Sequence, residues 1–246
     1  MNMHDLSHLG PKIVISLDGG RIIVTETVIL GMLLAALIAA ALIWLGHGLK
    51  KIPSKRQVLA EYLVEFIYNL TRNTMGAHNI NFAPYVGTLF VFLILGNALG
   101  LFGLRPLTAD VNMTFALSTI TFFLINYNSI RSMGLKGKLR HMCDPYAFMF
   151  PLKLIEALSQ PVSLGFRLFG NILAGAIVMA LIMSGLAWLS TMLFLPIPLL
   201  QAVFPLPAQL FFDVFHPLIQ AYIFTMLTMV FISMEILKHG DEDRHS

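Results

Sequence analysis

Residues 147–188 form one apolar stretch. As a continuous helix at about 1.5 Å per residue it would measure roughly 60 Å, twice a hydrocarbon core of about 30 Å. A helix of that length must tilt strongly, break or lie partly flat. Pro151 and Pro161 permit a kink, and a second long apolar stretch, about 208–237, follows a turn rich in proline (Pro196, Pro198, Pro205, Pro207). The pair reads as a long, tilted helical hairpin, with two ordinary spans bearing ragged ends as the alternative. The chain of 246 residues is 57% hydrophobic and 12% charged, against about 45–50% and about 25% in soluble domains. It is therefore read as an integral membrane protein.

The remaining apolar segments complete an all-α architecture of about five membrane helices plus one interfacial helix, in a single membrane domain over 1–246. The first span is expected at 22–46, long enough for the roughly 20 residues that a crossing helix needs. Residues 59–74 place Leu59, Leu63, Phe66, Ile67 and Leu70 at helical spacing, with Glu61, Glu65 and Arg72 elsewhere, as in an amphipathic helix lying along the interface. Spans at 84–104 and 112–129 follow, joined by "RPLTADVN". Gly96 and Gly100 make a GxxxG in the earlier one, a pattern that more often marks close packing than a specific dimer site.

The formal net charge of +3 does not point to nucleic acid, because the basic residues fall between apolar spans and read as topology signals. Lys50, Lys51, Lys55 and Arg56 lie on one side with Arg131, Lys136, Lys138 and Arg140, whereas the intervening loop carries only Arg105. The basic side is expected in the cytoplasm, with the N-terminus outside and the tail "KHGDEDRHS" inside. The single cysteine, Cys143, excludes an internal disulfide framework, and no CxxC or Cys/His cluster suggests a metal or haem. The opening residues lead into the first span without a cleavage signature, so no removable signal peptide is read.

Polar residues within the last two stretches follow helical spacing. Ser159, Ser163, Arg167 and Asn171 recur every four residues, with Glu156 one turn earlier, so one helix face would carry them all. Gln209, Asp213, His216 and Gln220 form a comparable row on the last helix. An ionisable group deep in a bilayer costs from about 2.5 kcal/mol upward, so two such stripes suggest a hydrated path. Each member also has a plainer reading. Arg167 would serve as a structural lock if paired with Glu156 or Asp213, and Asp213 would then merely neutralise it. The serines and Asn171 would bond helix to helix, and His216, followed by Pro217, would cap or pack locally. Arginine stays protonated, so Arg167 can attract, orient or repel but not relay a proton. A fixed cation beside a path makes sense if it forces a mobile carboxylate to ionise as it passes.

The segment "PVSLGFRLFGNILAG" together with "QAYIFTMLTMVFIS" resembles subunit a of F-type ATP synthases, the membrane stator facing the rotating c-ring. The resemblance extends through "KIPSKRQ", "LGNALGLFG" and "TADVNMT". It implies that Arg167 is the stator arginine, Asn171 its companion one turn on, and Gln220 the glutamine of the last helix. Asp213 falls where members carry a Glu or His of the outer half-channel, and Glu156 resembles an acidic residue upstream of the arginine. At Ala176 some members carry a Glu or His that this chain lacks. The implied function is translocation of an ion, expected to be a proton, through two half-channels, with no bond making in this chain and no cofactor or metal. The implied partners are the c-subunit ring, peripheral-stalk b subunits, the soluble ATPase sector and the lipid bilayer, in a bacterial plasma membrane. A secondary transporter with an intramembrane Arg/Asp site is the alternative, weakened by the lack of an internal repeat of the apolar pattern. An intramembrane protease would need a second deep Asp or a Ser/His pair that the sequence does not offer.

Overall fold

The computed structural model describes residues 13–17, 22–47, 55–143, 147–192 and 204–242. Lys50, Lys51, Pro196, Pro198, the opening segment 1–12 and the tail end 243–246 lie outside the described residues. A short antiparallel hairpin, β1 (Ile13–Leu17) and β2 (Ile22–Thr25), precedes the helices. The first apolar segment is thus divided, with residues 22–25 paired as a strand and the helix α1 beginning at Glu26 and ending at Gly46. The β-branched run Ile-Ile-Val-Thr favours the pleated conformation locally.

Six further helical segments follow: α2 (Lys55–Met75), α3 (Ala83–Ala98), α4 (Val111–Cys143), α5 (Phe150–Met192), α6 (Pro205–Leu210) and α7 (His216–Glu242). Four of the described helical stretches are long and apolar enough to cross a membrane: Glu26–Gly46, Ala77–Phe102, Phe150–Met192 and His216–Met234. The last begins in α7, and the second is α3 with its flanking 3-10 turns. α4 is not among the four, because its apolar run is interrupted by Asn112, Asn126 and Asn128, together with hydroxyls on its packed face. Thr114, Ser118 and Thr121 are buried on it, each returning its hydroxyl to a backbone carbonyl three or four residues earlier. α2 is not among the four either. Ile67 and Leu70 pack inward, whereas Leu59, Leu63 and Phe66 are exposed, leaving an apolar row for another medium.

The long apolar stretch beginning at 147 resolves into an unbroken helix. α5 runs through Pro161 without leaving helical structure, and at about 1.5 Å per residue its 43 residues measure roughly 65 Å. Pro151 sits in the first turn, where a missing N–H breaks no helical bond. The basic segment after residue 129 is helical too. Gly134 takes φ 72°, a left-handed value that suits glycine, and divides α4. Beyond that bend Lys138 donates to Asn126 Oδ1 on the preceding part of the helix.

Two helices organise the packing. α3 and α7 meet in a cluster of Leu89, Leu93, Ala221 and Phe224, which Leu164 and Leu168 of α5 complete. A second cluster joins Met75 of α2, Val86 of α3, Ile125 of α4 and Met229 and Ile232 of α7. α1 attaches through Leu34 and Ile38, which pack with Leu107 of the loop between α3 and α4.

That loop explains the GxxxG. A Cβ on Gly96 would come within 2.8 Å of Leu107 Cδ1, and one on Gly100 within 3.2 Å of Pro106 Cγ. The two glycines seat the chain's own loop. Gly96→Val should therefore displace the buried Leu107 and destabilise the protein by about 1–3 kcal/mol. The expected readout is a lower midpoint for heat-induced dissociation of the purified complex. Gly185→Ala, where nothing lies within 4 Å of the added methyl, should not lower that midpoint.

Candidate ion-translocation site

The site begins with a local irregularity in the last helix. α6 continues into α7 through a π-helical turn, Phe211–Phe215, with helical dihedrals at both junctions. Pro217 supplies the reason. It has no N–H for the carbonyl of Asp213, and its ring would crowd that carbonyl in a regular α-turn. The chain widens instead, and the His216 N–H bonds to Phe211 O five residues back.

The widened turn lies against α5 where that helix is smallest. A Cβ on Gly175 would come within 3.0 Å of Phe212 Cδ1, so glycine allows the approach. Beside this contact is a partly open cavity of about 600 Å³. Asn171, Gly175 and Ala176 line it from α5, and Gln209, Phe212 and His216 from the α6–α7 segment. Asn97, Arg105 and Ala109 contribute from the end of α3 and the following loop, and Glu26 from the first turn of α1. Four chain segments distant in sequence thus meet around one space of mixed polar and apolar lining.

Below Asn171 the two long helices are tied together. Asn171 Nδ2 donates to Gln220 Oε1 at 2.7 Å, and Gln220 is buried. Gln220 Nε2 and His216 Nε2 are buried without a hydrogen-bond partner among the described residues, as is Asn97 Nδ2. His216 and Asn97 line the cavity, where water commonly satisfies such buried polar atoms, whereas Gln220 is not among its lining residues.

Arg167 is half-buried, one helical turn before Asn171 on α5, and is not among the cavity-lining residues. No hydrogen bond or ion pair joins it to another described residue. The structural-lock pairing with Glu156 is not formed. Glu156 is exposed eleven residues earlier on the same helix, about 16 Å away along the axis. Ser159 returns its hydroxyl to Glu156 O at 2.8 Å, and Ser163 is exposed. The structure therefore joins Asn171, Gln209 and His216 at the cavity and Gln220 just behind it, while Glu156, Ser159 and Ser163 lie apart from it. The Asp213 side chain lies outside the described residues, although its backbone belongs to the π-helical turn. Among the described residues no group of three His, Cys, Asp or Glu side chains is placed to hold a metal ion.

Glu26, Asn97 and Arg105 were not singled out from the sequence as site residues. A signal existed for two of them, since Asn97 and Glu26 are polar interruptions within apolar runs. Nothing in the linear pattern of Arg105 distinguishes it from a topology charge.

Fold and site together define a helical membrane protein with a cavity that carries several polar side chains and stops one turn short of an arginine within an apolar helix. The family model for the ATP synthase A chain matches residues 28–233. ATP synthase subunit a of Moorella thermoacetica is 34% identical over 235 residues, covering 95% of this chain and 100% of that one. A sodium-ion-specific ATP synthase subunit a from Propionigenium modestum is 29% identical over 229 residues, covering 87% of this chain and 74% of that one. ATP synthase subunit a 2 of Bradyrhizobium sp. is 31% identical, covering 88% and 91%. The chain belongs to the ATP synthase subunit a family. It is a non-catalytic membrane subunit, and its work is ion translocation.

The hydrogen bond between α5 and α7 yields a direct test. Asn171→Ala strips Gln220 of its described partner, and a buried polar group left unmatched costs about 1–3 kcal/mol. The midpoint of heat-induced dissociation should fall accordingly. The double variant Asn171→Leu with Gln220→Leu should fall by less than the sum of the two single leucine variants, because it removes both polar partners together.

Proposed function

We propose that the cavity is the outer half-channel of a proton-translocating stator and that Arg167 separates it from a second route on the cytoplasmic side. The observation that carries this reading is the position of Arg167, half-buried, without a described partner, one turn past the cavity wall at Asn171. Protons enter past Gln209, Asp213 and His216 and neutralise a carboxylate on a c-subunit. They ride the ring through lipid and leave on the other side. As each carboxylate returns, the fixed guanidinium favours its ionised form and so promotes release. The same charge opposes a direct proton leak between the two routes. An imidazole in the cavity wall suits protons, which pass between titratable groups.

The surfaces support the same assignment. α5 and α7 form the long tilted hairpin, and exposed apolar residues such as Phe166, Ile177, Leu218 and Ile219 leave a face for the ring and lipid. α4 is a fifth crossing, its hydroxyl face turned inward against α5. α2 lies along the interface, where Arg56 stacks over Trp44 of α1 at 4.7 Å. Peripheral-stalk b subunits and the soluble ATPase sector complete the assembly in a bacterial plasma membrane. Glu156 and Ser163, away from the outer cavity on the same helix as Arg167, belong to the cytoplasmic route.

Arg167→Ala should abolish ATP-driven pumping and ATP synthesis in a complex that still assembles. Arg167→Lys should fail substantially, because a desolvated lysine can lose its proton and lacks the planar fork. Normal coupled pumping by assembled Arg167→Ala would sink the mechanism. The orientation has its own check, in which a membrane-impermeant thiol reagent labels Cys143 in inverted vesicles and not in sealed right-side-out ones. Labelling in the opposite pattern would reverse the assignment of the two routes.

A further inference from the structure

We propose that Glu26, in the first turn of α1, is a proton-relay residue of the cavity, exchanging protons with outside solvent and passing them through cavity water toward His216. The inference rests on reading the cavity as the outer access route. Glu26 is the only carboxylate among the described lining residues, and it comes from a helix outside the long hairpin. Arg105, also on the wall, holds its proton and donates to Ala109 O at 3.3 Å. His216 is the other titratable group among those residues.

Buried polar atoms around the cavity indicate what lies between these groups. Asn97 is only 1% exposed, lines the cavity, and has an unpartnered Nδ2. His216 Nε2, on the wall formed by the last helix, is likewise buried and unpartnered. Two such atoms on different walls call for water, and the space is many times what one water needs. Water bridging a carboxylate and an imidazole is a chemically complete relay. The Glu26 carboxylate takes a proton from solvent, returns it to cavity water, and is restored as the proton moves on.

The plainer alternative is that Glu26 serves the dipole at the start of α1. Asp110 shows what a structural acid looks like in the same region. It is 4% exposed, accepts from Asn112 N–H at 3.0 Å, and accepts from Thr25 Oγ1 at 3.4 Å, tying the starts of α1 and α4 together. Glu26 makes no such bond to another described residue and is only half-buried. Arg105 and His216 share the cavity wall with Glu26, Asp110 accepts from the adjoining Thr25, and Tyr85 of α3 is hydrogen-bonded to Thr121. Arg56 of α2 is engaged with Trp44 near the other end of α1.

The test uses the whole complex in liposomes. Proton flux is driven by an imposed potential from the side bearing the Arg105 loop and normalised to assembled complex. Glu26→Gln should lower flux several-fold, and the deficit should widen as pH on that side rises, since a collecting carboxylate matters most when protons are scarce. Glu26→Asp should restore most of the flux. Ala176→Glu, which places a carboxylate on the facing wall, should partly rescue Glu26→Gln. Wild-type flux in Glu26→Gln at every pH overturns the inference. So does an equal loss in the Gln and Asp variants with an unchanged pH profile, which would mark a structural residue. Asp213→Asn runs alongside. Lost flux there with normal flux in Glu26→Gln leaves the access route standing and removes Glu26 alone, whereas normal flux in both removes the route. Glu26→Cys in a Cys143→Ser background gives a reading independent of that comparison. A membrane-impermeant thiol reagent added on the Arg105 side should label it and lower flux, and failure to label from that side overturns the inference.

Discussion

A polar side chain held in apolar surroundings must find a partner or water, and the arrangement of this protein follows from how each one does so. Hydroxyls on α4 return to their own helix backbone, which makes that face small and self-sufficient enough to receive α5. Gly165 of α5 lies at that contact, where a Cβ would sit 3.2 Å from Ser118 Oγ. Asn171 and Gln220 satisfy part of each other's need across α5 and α7. The unpartnered nitrogens of His216 and Asn97 belong to residues that line a space where water can serve them.

Backbone irregularity works in the same direction. Pro217 denies the last helix one hydrogen bond, and the π-helical turn that results swells the helix at the position facing Gly175. A bulky group on one helix thus meets the smallest residue on the other, and the cavity opens beside the contact. The adjoining wall is fixed by Gly96 and Gly100, which let Pro106 and Leu107 settle onto α3 and carry Arg105 and Ala109 to the cavity. The GxxxG therefore positions one wall of the cavity.

This arrangement suits the stator role proposed above. Helices that hold a cavity and a fixed charge beside a moving partner need internal rigidity on one side and a smooth apolar surface on the other. The clusters on α3 and α7 supply the first, and the exposed apolar residues of α5 and α7 supply the second. Arg167, one turn beyond the cavity wall at Asn171, is paired with no other described residue.

Composition and apolar segment length settled the membrane class and its helical character, because a lipid-spanning backbone must bond within itself. Local periodicity likewise placed Arg167 with Asn171 and His216 with Gln220, since the helical repeat alone decides which residues share a face. The same logic grouped Glu156, Ser159 and Ser163 with Arg167, yet the described cavity on this helix takes in Asn171, Ile172, Gly175, Ala176 and Met179. Where a neighbouring helix meets a stripe depends on crossing geometry, which one helix cannot encode. Residues 22–25 form a strand because Thr25 and its neighbours pair with β1, a contact that hydropathy does not register. Glu26, Asn97 and Arg105 became site residues only once α1, α3 and the loop after it folded around the hairpin. Helical periodicity is a property of neighbours in sequence, whereas a cavity is made by segments as distant as residues 26 and 216, brought together by the packing of their apolar faces.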